Sequence, residues 1–216
     1  MSPRVGEERS EVRRALVRPY LSDRKRARMK FQIEKSALLV TDMQLYFLDE
    51  KSHAFIPSAS TIVRNIEDLV VAFRKSSRPV IFTRHALLEG EDPGAMGRWW
   101  GDVLREGDPL SEIPTKLAPL AGEVVIRKTQ YSAFAGTELE EELRRLGIGQ
   151  LLITGVQTHL CCESTARDAF AKGLDVYIVE DATGSKTEEL HVAALKTLAH
   201  GFAVPVTTRE VIQWLG

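Results

Sequence analysis

Cysteine is nearly missing from this chain: of 216 residues only Cys161 and Cys162 carry a thiol, and they are neighbours. Adjacent cysteines bridge only through strained geometry. With no further cysteine, a disulfide framework and a CxxC metal pair are both excluded, which suits a reducing compartment. Long hydrophobic runs are missing too. No stretch approaches the roughly 20 apolar residues that span a bilayer, and the polar, basic start lacks the pattern of a secretory signal. Nor is there an excess of one charge. Lys and Arg number 29 against 30 Asp and Glu, a net charge of −1. That leaves no electrostatic footprint for nucleic acid or an anionic membrane. The expectation is a soluble, cytoplasmic protein acting on a small molecule.

What is present is an ordinary globular balance, 44% hydrophobic and 27% charged, enough for a sizeable core. Residues 1–34 stand apart, rich in Arg and Glu, with the basic run Asp23-Arg24-Lys25-Arg26-Ala27-Arg28. They read as an arm, either a solvated segment or surface helix, or a piece that packs on a neighbouring subunit. Residues 35–216 read as one catalytic domain.

From residue 35 short apolar runs alternate with helical patterns. Runs at 37–41, 79–83, 123–127, 150–154 and 174–179 have the character of buried strands. The run 203–206 contains Pro205 and is expected at a sheet edge, because proline cannot donate to a ladder. Helices are expected over 58–76, 136–147, 161–172 and 187–200. This order predicts an α/β fold, a three-layer α/β/α sandwich around a six-stranded, mainly parallel sheet.

Active sites in such sheets lie beyond the carboxyl ends of the strands. Three chemically able residues fall there: Asp42 after the first strand, Lys128 after the third, and Cys161 after the fourth. Cys161 enters a helix from the loop 155–160, where free amides and the helix dipole lower a thiol pKa and offer an oxyanion site. From position alone a buried packing cysteine is the commoner reading, since free cysteine is among the most buried residue types. Asp42 is either a general base or a helix cap. Lys128 is either an ammonium that holds a carboxylate and a thiolate charged, or a surface lysine.

Three segments turn these alternatives toward chemistry. Thr41-Asp42-Met43-Gln44-Leu45-Tyr46-Phe47, Lys128-Thr129-Gln130-Tyr131-Ser132-Ala133-Phe134 and Gly155-Val156-Gln157-Thr158-His159-Leu160-Cys161-Cys162-Glu163-Ser164-Thr165-Ala166-Arg167-Asp168-Ala169 occur in that order. They resemble the signature segments of the isochorismatase-like hydrolases, a superfamily that includes nicotinamidases and carbamoylsarcosine amidohydrolases. The likeness runs from about residue 36 to the C-terminus. It implies an Asp–Lys–Cys triad of Asp42, Lys128 and Cys161, with Asp42 as base and Cys161 forming a thioester-type intermediate. It also implies a cis peptide between Val156 and Gln157, which would aim the amides of Gln157, Thr158 and Cys161 at an oxyanion. Cys162, about 100° further round the helix, is left as a packing residue.

The family holds two chemistries, cysteine amidases and isochorismatases that hydrolyse a vinyl ether without a thiol. Tyr131-Ser132-Ala133-Phe134, Trp100-Gly101, His159 and the arm resemble the second branch. Cys161 in place of its glycine, Gln157 in place of its tyrosine and Gln130 in place of an arginine depart from that branch, and the missing arginine removes bidentate carboxylate recognition. The expectation is a thiol hydrolase of an amide-like C–N bond. Vinyl ether hydrolysis giving pyruvate, and a non-catalytic redox-sensing or binding role for the vicinal thiols, stand as alternatives. The candidate pocket residues are Gln44, Phe47, His85, Trp100, Tyr131, Gln157 and Thr158, with Trp99 and the glycine-rich loop around it as a wall or lid. Thr83-Arg84-His85 lacks the Asp-x-His metal pattern, and His53 and His85 read as isolated. Neither a metal nor a cofactor is therefore expected, which counts against a nicotinamidase. The family resemblance implies a homodimer or homotetramer.

Overall fold

A computed structural model describes residues 11–216. Residues 1–10 of the arm lie outside the described residues. Residues 11–17 (α1) are helical and lead to α2 (Asp23–Arg28), β1 (Ser36–Thr41), α3 (Leu45–Leu48) and α4 (Ala59–Lys75). Next come β2 (Val80–His85), α5 (Gly94–Trp100), β3 (Val124–Lys128), α6 (Leu139–Arg145) and β4 (Gln150–Val156). A π-helical turn, Thr158–Cys162, then enters α7 (Glu163–Ala171). The chain closes through β5 (Asp175–Gly184), α8 (Glu188–Gly201), β6 (Val204–Val206) and α9 (Thr208–Leu215).

The strands pair in the order β3-β2-β1-β4-β5-β6, every pairing parallel. The six-stranded α/β sheet thus has the arrangement expected, with Pro205 on an edge strand. Alternate residues of each strand feed two cores. Ala37, Leu39, Leu151 and Ile153 pack against α6, α7 and α8 through Leu143, Ala166 and Leu195. Leu38, Val40, Phe82 and Tyr177 pack against α4 and α9 through Ile66, Phe73 and Val211. Burial on both faces is why these strands read as unbroken apolar runs.

Several elements differ from expectation. The glycine-rich segment is not an open loop: Gly94–Trp100 is helical, and the left-handed Gly101 at φ +67° ends it. α9 was not among the expected helices; it opens on a capping box in which Thr207 and Glu210 satisfy each other's backbone amides. β5 runs past Val179 because its charged residues find partners there. Glu180 pairs with Arg14 at 3.4 Å, and Asp181 Oδ1 accepts hydrogen bonds from the Thr208 amide (2.8 Å) and hydroxyl (2.9 Å).

The described part of the arm folds back on its own chain. Val17 is buried in the first core. Arg13 binds both carboxylate oxygens of Glu188 and the Glu180 carbonyl. Arg14 and Arg26 both reach Glu210. No helix of the described residues is long and apolar enough to cross a membrane.

Candidate active site

The ends of β1, β3 and β4 meet at one sheet edge, as parallel register requires. Thr41 lies beside Gly155, and His85 beside Lys128. Asp42 leaves β1 with φ +50°, a left-handed conformation unusual outside glycine. The Thr83 side chain holds it there. Asp42 N donates to Thr83 Oγ1 at 3.1 Å, and Thr83 Oγ1 donates to Asp42 Oδ1 at 2.6 Å. Behind this turn β4 passes close to β1. A Cβ on Gly155, at φ +100°, would sit 2.0 Å from the Thr41 carbonyl oxygen, so only glycine fits.

Lys128 and Asp42 are both fully buried, with Lys128 Nζ 2.7 Å from Asp42 Oδ2. The same ammonium donates to the Gln130 carbonyl at 2.9 Å and to Cys161 Sγ at 3.4 Å. One buried cation therefore joins a carboxylate and a thiol. Burial works to lower the Lys128 pKa, but Asp42 and Cys161 outweigh it and hold it up at about 12.

The thiol differs from expectation. Cys161 lies in the π-helical turn ahead of α7, nearly sealed from water. Burial pushes its pKa up to about 12. Lys128 opposes this without overcoming it, while Asp42 adds to it. Desolvation of a thiolate at this depth outweighs the helix end and the ammonium together. Cys162 faces away into the first core and is fully buried. The peptide between Val156 and Gln157 is cis.

A cavity of about 380 Å³ opens over these groups. Asp42 and Cys161 line it, as do the expected Phe47, His85, Trp100, Tyr131 and Gln157. Trp100 Nε1 donates to Tyr131 Oη at 2.8 Å, tying two walls together. Burial, then the Lys128 charge, lowers the His85 pKa, with Asp42 opposing, so its ring is neutral near pH 7.

Three expected wall residues lie elsewhere. The Gln44 side chain is buried behind the cavity. It accepts from His85 N at 2.8 Å and donates to the carbonyls of His85 and Ser111, clamping the end of β2. The left-handed turn at Asp42 sends neighbouring side chains different ways. Thr158 is likewise buried and directed at His191. Trp99 is 79% exposed on the outer face of α5 while Trp100 faces the cavity.

Other lining residues escaped the sequence reading: Tyr46, Asp102, Leu104, Leu160, Lys186 and Leu190. His53 is not isolated, for its Nε2 lies 3.1 Å from Tyr46 Oη and 3.2 Å from Asp102 Oδ2 at the cavity mouth. These groups come from separate helices, turns and loops and share no periodicity that a sequence could show. Among the described residues no cluster of three or more His, Cys, Asp or Glu side chains is placed to hold a metal ion.

Comparison with known proteins bears on this geometry. The isochorismatase domain family matches residues 36–210. Nicotinamidase 3 of Arabidopsis thaliana is 41% identical over 78% of this chain and 82% of its own length. An isochorismatase of Bacillus subtilis is 34% identical over 84% of this chain, a match spanning only 58% of that longer protein. Among solved structures, a cysteine hydrolase from Pseudomonas syringae superposes with a TM-score of 0.82 at 28% identity, covering 86% of this chain and 94% of that one.

Proposed function

The chain belongs to the isochorismatase family of hydrolases, and from that premise we propose that it cleaves the C–N bond of a small amide-like substrate through Asp42, Lys128 and Cys161. The observation that carries this reading is the buried Lys128 ammonium, 2.7 Å from Asp42 and 3.4 Å from Cys161 on the floor of a ligand-sized cavity.

Asp42 takes the Sγ proton as the sulfur attacks the carbonyl carbon. Lys128 stays charged and stabilises the sulfur as negative charge develops there. The oxyanion collapses, the C–N bond breaks, and the leaving amine takes the proton from Asp42, leaving a thioester on Cys161. Asp42 then deprotonates a water that attacks the thioester and returns that proton to the departing sulfur. The amides of Gln157, Thr158 and Cys161 are the candidate oxyanion donors. The walls, Phe47, Trp100, Leu104 and Leu160, suit a flat or apolar substrate body. The likeness to a plant nicotinamidase offsets the sequence argument against that activity and puts nicotinamide first among substrates to test.

Turnover of a panel of nicotinamide, N-carbamoyl acids and simple amides, followed by ammonia release, tests the proposal. Cys161→Ala should remove turnover while the fold survives, and Asp42→Asn should remove turnover at a cost in stability, because it leaves the buried Lys128 charge unpaired. Full activity in Cys161→Ala would sink it. The likeness to isochorismatases favours one competing reading, vinyl ether hydrolysis by Asp42 alone. Pyruvate release from isochorismate that persists in Cys161→Ala would establish that reading instead.

A further inference from the structure

The segment after β5 grips three consecutive residues of the turn that carries Cys161. Lys186 N donates to Gln157 Oε1 at 3.2 Å. Ser185 Oγ lies 2.9 Å from His159 Nδ1, and His191 Nδ1 lies 2.8 Å from Thr158 Oγ1. Of these contacts only the last is sealed from water at both ends, with His191 2% exposed and Thr158 0%.

His191 is an expensive residue to keep there. Its Nε2 has at best a marginal hydrogen bond, to the Glu180 backbone carbonyl, and Arg13 Nη1 already donates to that carbonyl at 3.0 Å. A buried polar atom so weakly partnered stabilises a fold less than an aliphatic side chain of similar size would. Burial, then the nearby Arg13 charge, lowers the His191 pKa to about 3, so the ring is a neutral partner at physiological pH. The bond to Thr158 gives this imidazole a role that an aliphatic side chain of similar size could not fill. Thr158 opens the π-helical turn, and Cys161 follows within it. A β-branched side chain has few rotamers, so fixing its hydroxyl from α8 fixes the backbone of the turn.

We propose that His191 is a positioning residue: through Thr158 it holds the turn that keeps Cys161 Sγ against Lys128 and Asp42. The inference rests on the thiol-hydrolase reading, yet its test needs no substrate. The probe is iodoacetamide, with the rate of Cys161 alkylation at neutral pH read by peptide mass spectrometry. A displaced sulfur loses its proton acceptor and its ammonium, so His191→Leu and Thr158→Val should each slow alkylation about tenfold. His191→Asn, which keeps a polar atom near the Nδ1 position, should restore most of the rate.

The Thr158→Val/His191→Leu double variant separates positioning from stability. Replacing both partners by apolar groups leaves no polar atom of the pair unpaired. Its melting temperature should match the parent while its alkylation stays slow. An unchanged or faster rate in the double variant overturns the proposal, as does slowing that appears only in variants with lowered melting temperature. Failure of the functional reading looks different, because there the parent Cys161 would be alkylated no faster than Cys162.

Discussion

Lys128 Nζ and Asp42 Oδ2 lie 2.7 Å apart with both side chains fully shielded from water. Such a pair stabilises little by itself, yet losing one member leaves an uncompensated buried charge. Lys128→Met should therefore cost about 3–5 kcal/mol in denaturant unfolding and remove turnover. The double variant Asp42→Asn/Lys128→Met should recover much of that stability and none of the activity. Equal stability of the single and double variants would refute this account of the pair.

The close approach of β4 to β1 makes a second prediction. Gly155→Ala places a Cβ 2.0 Å from the Thr41 carbonyl oxygen at a φ that L-residues rarely adopt. The loss should reach at least about 3 kcal/mol by chemical denaturation, or leave the protein insoluble. Any folded remnant should have reduced activity, because Asp42 follows Thr41 directly.

Glu180 sets a pH dependence of stability. Burial chiefly raises its pKa, from about 4.5 to about 7, with Arg14 opposing. A raised folded-state pKa means that the native chain binds the proton more tightly. Its contribution is complete below about pH 4.5 and is lost as pH rises through 7, on the order of 3 kcal/mol at most. Melting temperature should fall across that window by more in the parent than in Glu180→Gln, which should be the more stable of the two at pH 8. Parallel melting curves for the two proteins would contradict this.

Trp100 joins the cavity wall to Tyr131 and touches neither Asp42 nor Lys128 through any hydrogen bond. Trp100→Ala removes apolar contact worth about 1.5–3 kcal/mol and should raise KM roughly tenfold or more, with a smaller change in kcat. A fall in kcat at constant KM would assign Trp100 to the chemistry instead.

The strands were readable because a parallel sheet covered on both faces needs apolar residues at consecutive positions, as in Leu38-Leu39-Val40. β5 was read short because Glu180 and Asp181 look like a strand end until Arg14 and Thr208, distant in sequence, supply their partners. The segment holding Trp99 and Trp100 read as a loop because its glycines mask a short helix, and only folding decides which tryptophan faces the cavity.

By itself the sequence determined the sheet and the places of Asp42, Lys128 and Cys161 at strand ends, because these follow from local apolar patterning and from order along the chain. Tertiary structure decided the rest. It buried Lys128 between Asp42 and the Cys161 sulfur. It turned Gln44 and Thr158 away from the cavity, and it brought Tyr46, His53, Asp102 and Lys186 to the cavity from separate segments of the chain. The reason is physical: burial, and the pKa values that burial sets, depend on residues close in space and remote in sequence, which no local pattern encodes.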